Sequence, residues 1–169
     1  MSLLTGLSNT LQKVNDHNNS ALKIVVITGE LSGENHAYHL VKALSKTLPI
    51  EFSGMGSKRL QEAGVRIIYD YGNISITGMS EIFGKLKYIQ EALRTIKRHI
   101  IKENPSLLIL VDFPGFNLKI AKFAKAHGVP VVYFIPPQVW AWRKSRIRKI
   151  RERVNKVICI LPFEKKVYE

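Results

Sequence analysis

A chain of 169 residues with a 46% hydrophobic fraction is long enough for one domain with a real core, and 26 Lys and Arg against 13 Asp and Glu leave a formal charge of +13. That charge favours anionic partners such as nucleic acid, phosphate-bearing ligands or an acidic membrane face, and does not choose among them. The single cysteine, Cys159, excludes an internal disulfide, and no stretch approaches the ~20 apolar residues needed to cross a bilayer.

Residues 1–20 carry Asn9, Asn15, Asp16, His17, Asn18, Asn19 and Ser20 without an apolar core followed by small residues, and they read as a flexible leader. The folded domain is expected over 21–169. Leu22 to Thr28 is nearly continuous in apolar and β-branched residues, the pattern of a strand covered on both faces. Gly29 to Gly33 breaks the run, and Glu34 to Lys46 predicts a helix with Leu40, Val41 and Leu44 inward. Ile50 to Ser53 reads as a strand, Ser57 to Ala63 as a helix and Val65 to Tyr69 as another strand. Ser80 to Lys102 is the longest periodic segment, with Ile82, Leu86, Ile89, Leu93, Ile96 and Ile100 lining one helical face.

The second half keeps the rhythm. Strands are predicted at Leu107 to Val111, Val131 to Ile135 and Lys156 to Ile160, and helices at Asn117 to Ala126 and Arg143 to Val154, with Pro162 opening a further helix. Strand followed by helix at this spacing predicts an α/β domain with a mostly parallel sheet and helices on both faces. Such sheets take ligands at the carboxyl ends of their strands, which here selects the loops 29–34, 70–78, 112–117 and 136–142.

In the first loop (GELSGE), Ser32 and Gly33 precede a helix and let free backbone N–H groups approach an anion or a sugar hydroxyl; a plain helix-capping turn is the alternative. His36, two residues into that helix, is either packed or solvent-facing. In DFPGFN, Asp112 follows a strand directly and is placed to accept a proton from a substrate hydroxyl, or else orders its own loop, while Asn117 can cap the next helix. In PPQVWAW, Gln138 offers a directional amide, and Trp140 and Trp142 offer faces for a ring or an acyl chain, or simply wedge sheet against helix. Eight of the fourteen residues from Arg143 to Lys156 are basic, which invites phosphate. From Ile76 to Ile89, Met79, Phe83 and Tyr88 leave apolar surface beside Lys85 and Lys87, suited to a lipid interface or to a partner domain.

These loops together resemble the lipid-A-disaccharide synthase family. The resemblance rests on five ordered stretches: GELSGE, Thr77 to Phe83 (TGMSEIF), DFPGFN, PPQVWAWRK and Leu161 to Glu164 (LPFE). It implies the N-terminal, Rossmann-like acceptor-side half of a two-domain GT-B glycosyltransferase, with a C-terminal nucleotide-sugar domain absent from this chain. It implies transfer of a diacylated glucosamine from UDP to the 6-hydroxyl of diacylglucosamine 1-phosphate, with inversion and release of UDP. No metal or other cofactor is implied, nor nucleic acid as a partner; contact with the cytoplasmic side of the inner membrane is. Under this reading Asp112 and Glu34 are the catalytic acids. Ser32, Gly33, His36, Asn117, Gln138, Trp140 and Arg143 bind substrate, and Met79, Phe83, Lys85 and Lys87 face lipid. Glu34 departs from the family's usual aspartate, and Gly115 stands where many members carry a second acid. The rival reading is a non-enzymatic basic domain for nucleic acid or an acidic membrane surface.

Overall fold

The computed structural model describes residues 21–72, 82–137 and 144–160. Among the described residues six strands form one sheet: β1 (Leu22–Ile27), β2 (Ile50–Gly56), β3 (Arg66–Asp70), β4 (Leu107–Val111), β5 (Val131–Phe134) and β6 (Lys156–Ile158). Between them run α1 (Leu31–Leu44), α2 (Lys58–Glu62), α3 (Ile82–Glu103), α4 (Pro114–Ala126) and α5 (Lys144–Arg153). Every pairing is parallel, in the order β3-β2-β1-β4-β5-β6. The chain therefore winds outward from β1 in one direction and from β4 in the other, giving the Rossmann-like topology of a GT-B N-terminal domain.

Alternation along each strand builds two cores. Val25 and Ile27 of β1 pack with Ala92, Ile96 and Ile100 of α3 and with Ala121 and Ala124 of α4 on one face. Ile24 and Val26 pack with Leu40, Val41 and Leu44 of α1 and with Leu60 of α2 on the other. Each fully buried aliphatic side chain contributes roughly 1.5–3 kcal/mol of transfer free energy, so a strand covered on both faces gains from every position.

Two sequence expectations about α3 change. Leu86 is 51% exposed, and the inward seam is fully closed only toward the carboxyl end, at Ala92, Ile96 and Ile100. Tyr88 is not free apolar surface: it is half-buried against the core, and its carbonyl accepts the Tyr69 hydroxyl at 3.2 Å. The leader over 1–20 and the helix opening at Pro162 lie outside the described residues.

Candidate functional site

The strand order reverses between β1 and β4, where Ile27 lies beside Leu110. Loops leaving those two strands lead to helices on opposite faces of the sheet, the place where such sheets take ligands. The first loop turns into α1 earlier than its glycine suggested. Glu30 is the N-cap residue, so Ser32, Gly33 and Glu34 already belong to the first helical turn. The second turns into α4 at Pro114, three residues ahead of the expected Asn117, because proline is tolerated where the N–H has no intrahelical partner.

Asp112 and Phe113, at the mouth of α4, both adopt left-handed backbone, with φ of 47° and 44°. For a bulky residue this costs on the order of 1–3 kcal/mol, and the surroundings must hold it. The Asp112 carbonyl accepts the Tyr133 hydroxyl at 2.7 Å and the Asn117 amide at 2.7 Å. The Phe113 ring stacks on Phe116 at 5.3 Å and lies over Gly29, where any Cβ would overlap it. A Cβ at Gly33 would come within 3.5 Å of that of Asp112, so the first turn of α1 abuts the aspartyl turn. Ile135, leaving β5, is also left-handed at φ 57°. Strain thus collects at the carboxyl ends of two adjacent strands.

Asp112 is half-buried, and its carboxyl meets that of Glu30, an exposed residue. Burial first, and then the hydrogen bond and the charge of Glu30, push Asp112 up to about 6. Glu30 is held below the usual carboxylate range by its hydrogen bond with Asp112 and by Ser32, whose hydroxyl donates to Oε1 at 2.7 Å. Sequence reading passed over Glu30. Its significance arises only from the neighbouring of β1 and β4, and the one local sign of it is an acid directly after the glycine that follows β1.

The other expected site residues separate. Glu34 turns away from Asp112 and is completely buried, accepting Ser57 N at 2.6 Å, Ser57 Oγ at 2.6 Å, Leu60 N at 3.2 Å and Tyr71 Oη at 2.8 Å. It caps α2. His36 is exposed on α1, its ring nearly perpendicular to that of Phe134 at a centroid distance of 6.4 Å. Asn117 caps nothing: it is fully buried, and its amide donates to the carbonyls of Val111 at 3.2 Å and Asp112. Lys87 is exposed on α3. Gln138, Trp140, Arg143 and Met79 lie outside the described residues, as do the side chains of Phe83 and Lys85. Parallel pairing of β4 with β5, Val111 beside Phe134, brings the chain leaving β5 at Ile135 out at the same edge as Asp112.

Asn117→Asp would set a carboxylate against two carbonyl oxygens inside the protein. Chemical denaturation should show a loss of about 3 kcal/mol, since an unpaired buried charge costs at least that much. Equal stability of the variant would mean that the amide does not hold the turn.

At the opposite end of the sheet a cavity of about 360 Å³ is lined by Lys23, Ser53, Arg66 and Glu103 among others. Three of its charges are mutually engaged: Glu103 pairs with Lys23 at 3.0 Å and Arg66 at 3.1 Å, which hold it down at about 2. The strand reversal instead has an acid of raised proton affinity, Asp112.

With that geometry in place, comparison with known proteins decides the family. The model for lipid-A-disaccharide synthetase matches residues 24–169. The chain belongs to this family. It is 45% identical over 152 residues to lipid-A-disaccharide synthase 1 of Legionella pneumophila (strain Philadelphia 1), covering 89% of the chain and 40% of that protein. It is 42% identical over 147 residues to the lipid-A-disaccharide synthase of Myxococcus xanthus, covering 86% and 38%, and 39% identical over 147 residues to that of Coxiella burnetii (strain RSA 331), covering 86% and 39%. The chain thus spans about two-fifths of the length of these curated relatives. Among the described residues no helix is long and apolar enough to cross a membrane.

Proposed function

We propose that the protein carrying this chain forms the lipid A disaccharide, moving a diacylated glucosamine from UDP to the 6-hydroxyl of 2,3-diacylglucosamine 1-phosphate with inversion. This chain supplies the acceptor side, and a further nucleotide-sugar domain supplies most contacts to UDP. Asp112 is the base. A half-buried carboxylate beside a second acid, in a left-handed turn tied down by Tyr133 and Asn117 at the strand reversal, is the single observation that carries the assignment. Its proton affinity lies close enough to neutrality for it to be both ionised and effective as an acceptor.

Glu34 takes no part in the chemical step under this reading, because its oxygens serve α2. Ser32 and Gly33 shape the wall facing Asp112, and Asn117 fixes its backbone. Gln138, Trp140 and Arg143 bind acceptor, the cation meeting its phosphate, while His36 lies at the rim. Met79, Phe83, Lys85 and Lys87 rest on the cytoplasmic face of the inner membrane. No metal or other cofactor enters the mechanism.

The test is product formation. The protein carrying this chain, given UDP-diacylglucosamine and isotope-labelled acceptor in mixed micelles, is expected to yield labelled disaccharide and one equivalent of UDP. Absence of disaccharide, together with salt-sensitive binding of RNA or DNA, would replace this reading by the basic binding domain.

A further inference from the structure

We infer that Glu30 and Asp112 work as one proton-accepting pair, with Glu30 the positioning residue that determines where the proton of the acceptor hydroxyl comes to rest. The inference rests on the assignment of Asp112 as base and adds a second carboxyl to it. Glu30 closes the turn after β1 and Asp112 opens the turn after β4, so the pair exists only because those strands are neighbours.

Two carboxyl groups in hydrogen-bond contact require a proton between them, because two carboxylates only repel. The surroundings decide which one keeps it. Ser32 Oγ donates to Glu30 Oε1, and Glu30 stands at the amino end of the fourteen-residue α1, where the helix dipole favours negative charge. Asp112 stands at the mouth of α4 and accepts the backbone N–H of Phe113, but it is half-buried, and burial outweighs that support and disfavours its charge. The proton therefore sits on Asp112, the group facing Gly33, and Glu30 accepts. Other titratable groups nearby do not compete. Glu34 is consumed by α2, His36 leans toward Phe134, and the Tyr133 hydroxyl is spent on the Asp112 carbonyl.

At neutral pH and above the pair is doubly charged, and its mutual repulsion favours taking up one proton. During transfer, the acceptor O–H bond breaks as its oxygen bonds to the anomeric carbon. The bond from that carbon to the UDP oxygen breaks, and UDP leaves with the electron pair. The released proton goes to Asp112, is shared with Glu30, and returns to solvent once product departs.

Glu30→Gln tests this with two readouts. Glu30 is exposed, so the variant is expected to fold. In the chain labelled with ¹³C at aspartate side chains, the Asp112 titration midpoint, about 6 in the parent, should fall by about one unit, because burial remains while the neighbouring charge is gone. In turnover by the protein carrying this chain, the acid limb of the kcat profile should move down by the same amount, plateau kcat should drop about tenfold, and the acceptor KM should stay within about twofold. An unmoved Asp112 midpoint overturns the pair, and so does a shifted midpoint with an unshifted kinetic limb. If the parent enzyme shows no limb near 6 and Asp112→Asn remains active, the base assignment itself has failed, which is a different result.

Discussion

Glu34→Ala is expected to remove about 3–5 kcal/mol of stability, a fall in Tm on the order of 10 °C for a domain of this size, read by thermal or urea unfolding. The residue is 0% exposed, and four donors converge on its carboxylate. Ser57 is the N-cap of α2, yet its own hydroxyl makes no cap and is directed to Glu34 instead. The free amides of a five-residue helix are thus answered from another helix, 23 residues earlier in the chain. Truncation would leave the amides of Ser57 and Leu60 and the Tyr71 hydroxyl without a partner inside the protein, and each unsatisfied donor costs about 1–3 kcal/mol. Glu34→Gln should do only somewhat better, because one atom of the new amide is itself a donor facing donors. Tyr71 supplies a second signature. Burial, then the bond to Glu34, push its phenol up to about 12 from an ordinary 10.0. The native state therefore prefers the protonated phenol, and wild-type stability should fall between pH 10 and 12, a decline that Tyr71→Phe flattens. A Glu34→Ala variant as stable as the parent would mean that α1 and α2 are joined by packing alone.

The same tie explains which parts of the molecule could be read from sequence. Strands buried on both faces leave an unbroken apolar run, and β4 coincides with its prediction while β1 differs by one residue. Helix starts were harder. Gly33 and the Pro114–Gly115 pair look like loop residues, yet both lie in first turns, where a glycine packs closely and a proline loses nothing. Leu86 kept helical periodicity but is exposed, since periodicity reports a face and not what covers it. For the proposed site, the sequence draws notice to Asp112 because a carboxylate at a parallel strand's carboxyl end has few structural reasons to be there. Glu34 looked equally functional, being an acid in the same motif as Ser32. Four residues separate it from Glu30, about one helical turn, and only the packing of α2 shows that one acid points to the core and the other to Asp112. Tyr133 gave the faintest signal, one hydroxyl in an apolar strand, and that hydroxyl holds the strained turn.

Asp112→Asn should lower turnover by roughly 10²- to 10⁴-fold while acceptor affinity stays within about threefold, because the amide keeps the shape but accepts no proton. Loss of affinity in step with turnover would instead make Asp112 a binding group. The variant should also be more stable than the parent above pH 6, and the sign follows from the shift. The Asp112 carboxyl is raised from 3.8 to about 6 on folding, so the native state binds the proton more tightly than the unfolded chain. Its favourable contribution is complete below 3.8, declines as pH rises, and is lost by about 6. Roughly two units at ~1.4 kcal/mol each set an upper bound, which partial solvent exposure reduces to about 1–2 kcal/mol. Glu30, whose depressed pKa has the opposite sign, keeps a donor in the asparagine amide and should change little. Urea unfolding of both proteins at pH 4 and pH 8 checks this: the curves should separate at pH 8, with the variant the more stable, and nearly converge at pH 4. A parent as stable as the variant at pH 8 would mean that the ionised Asp112 is solvated and carries no surplus proton affinity into the reaction. A stability gain joined to a loss of turnover would place the acid among groups held in an unfavourable environment for their chemistry.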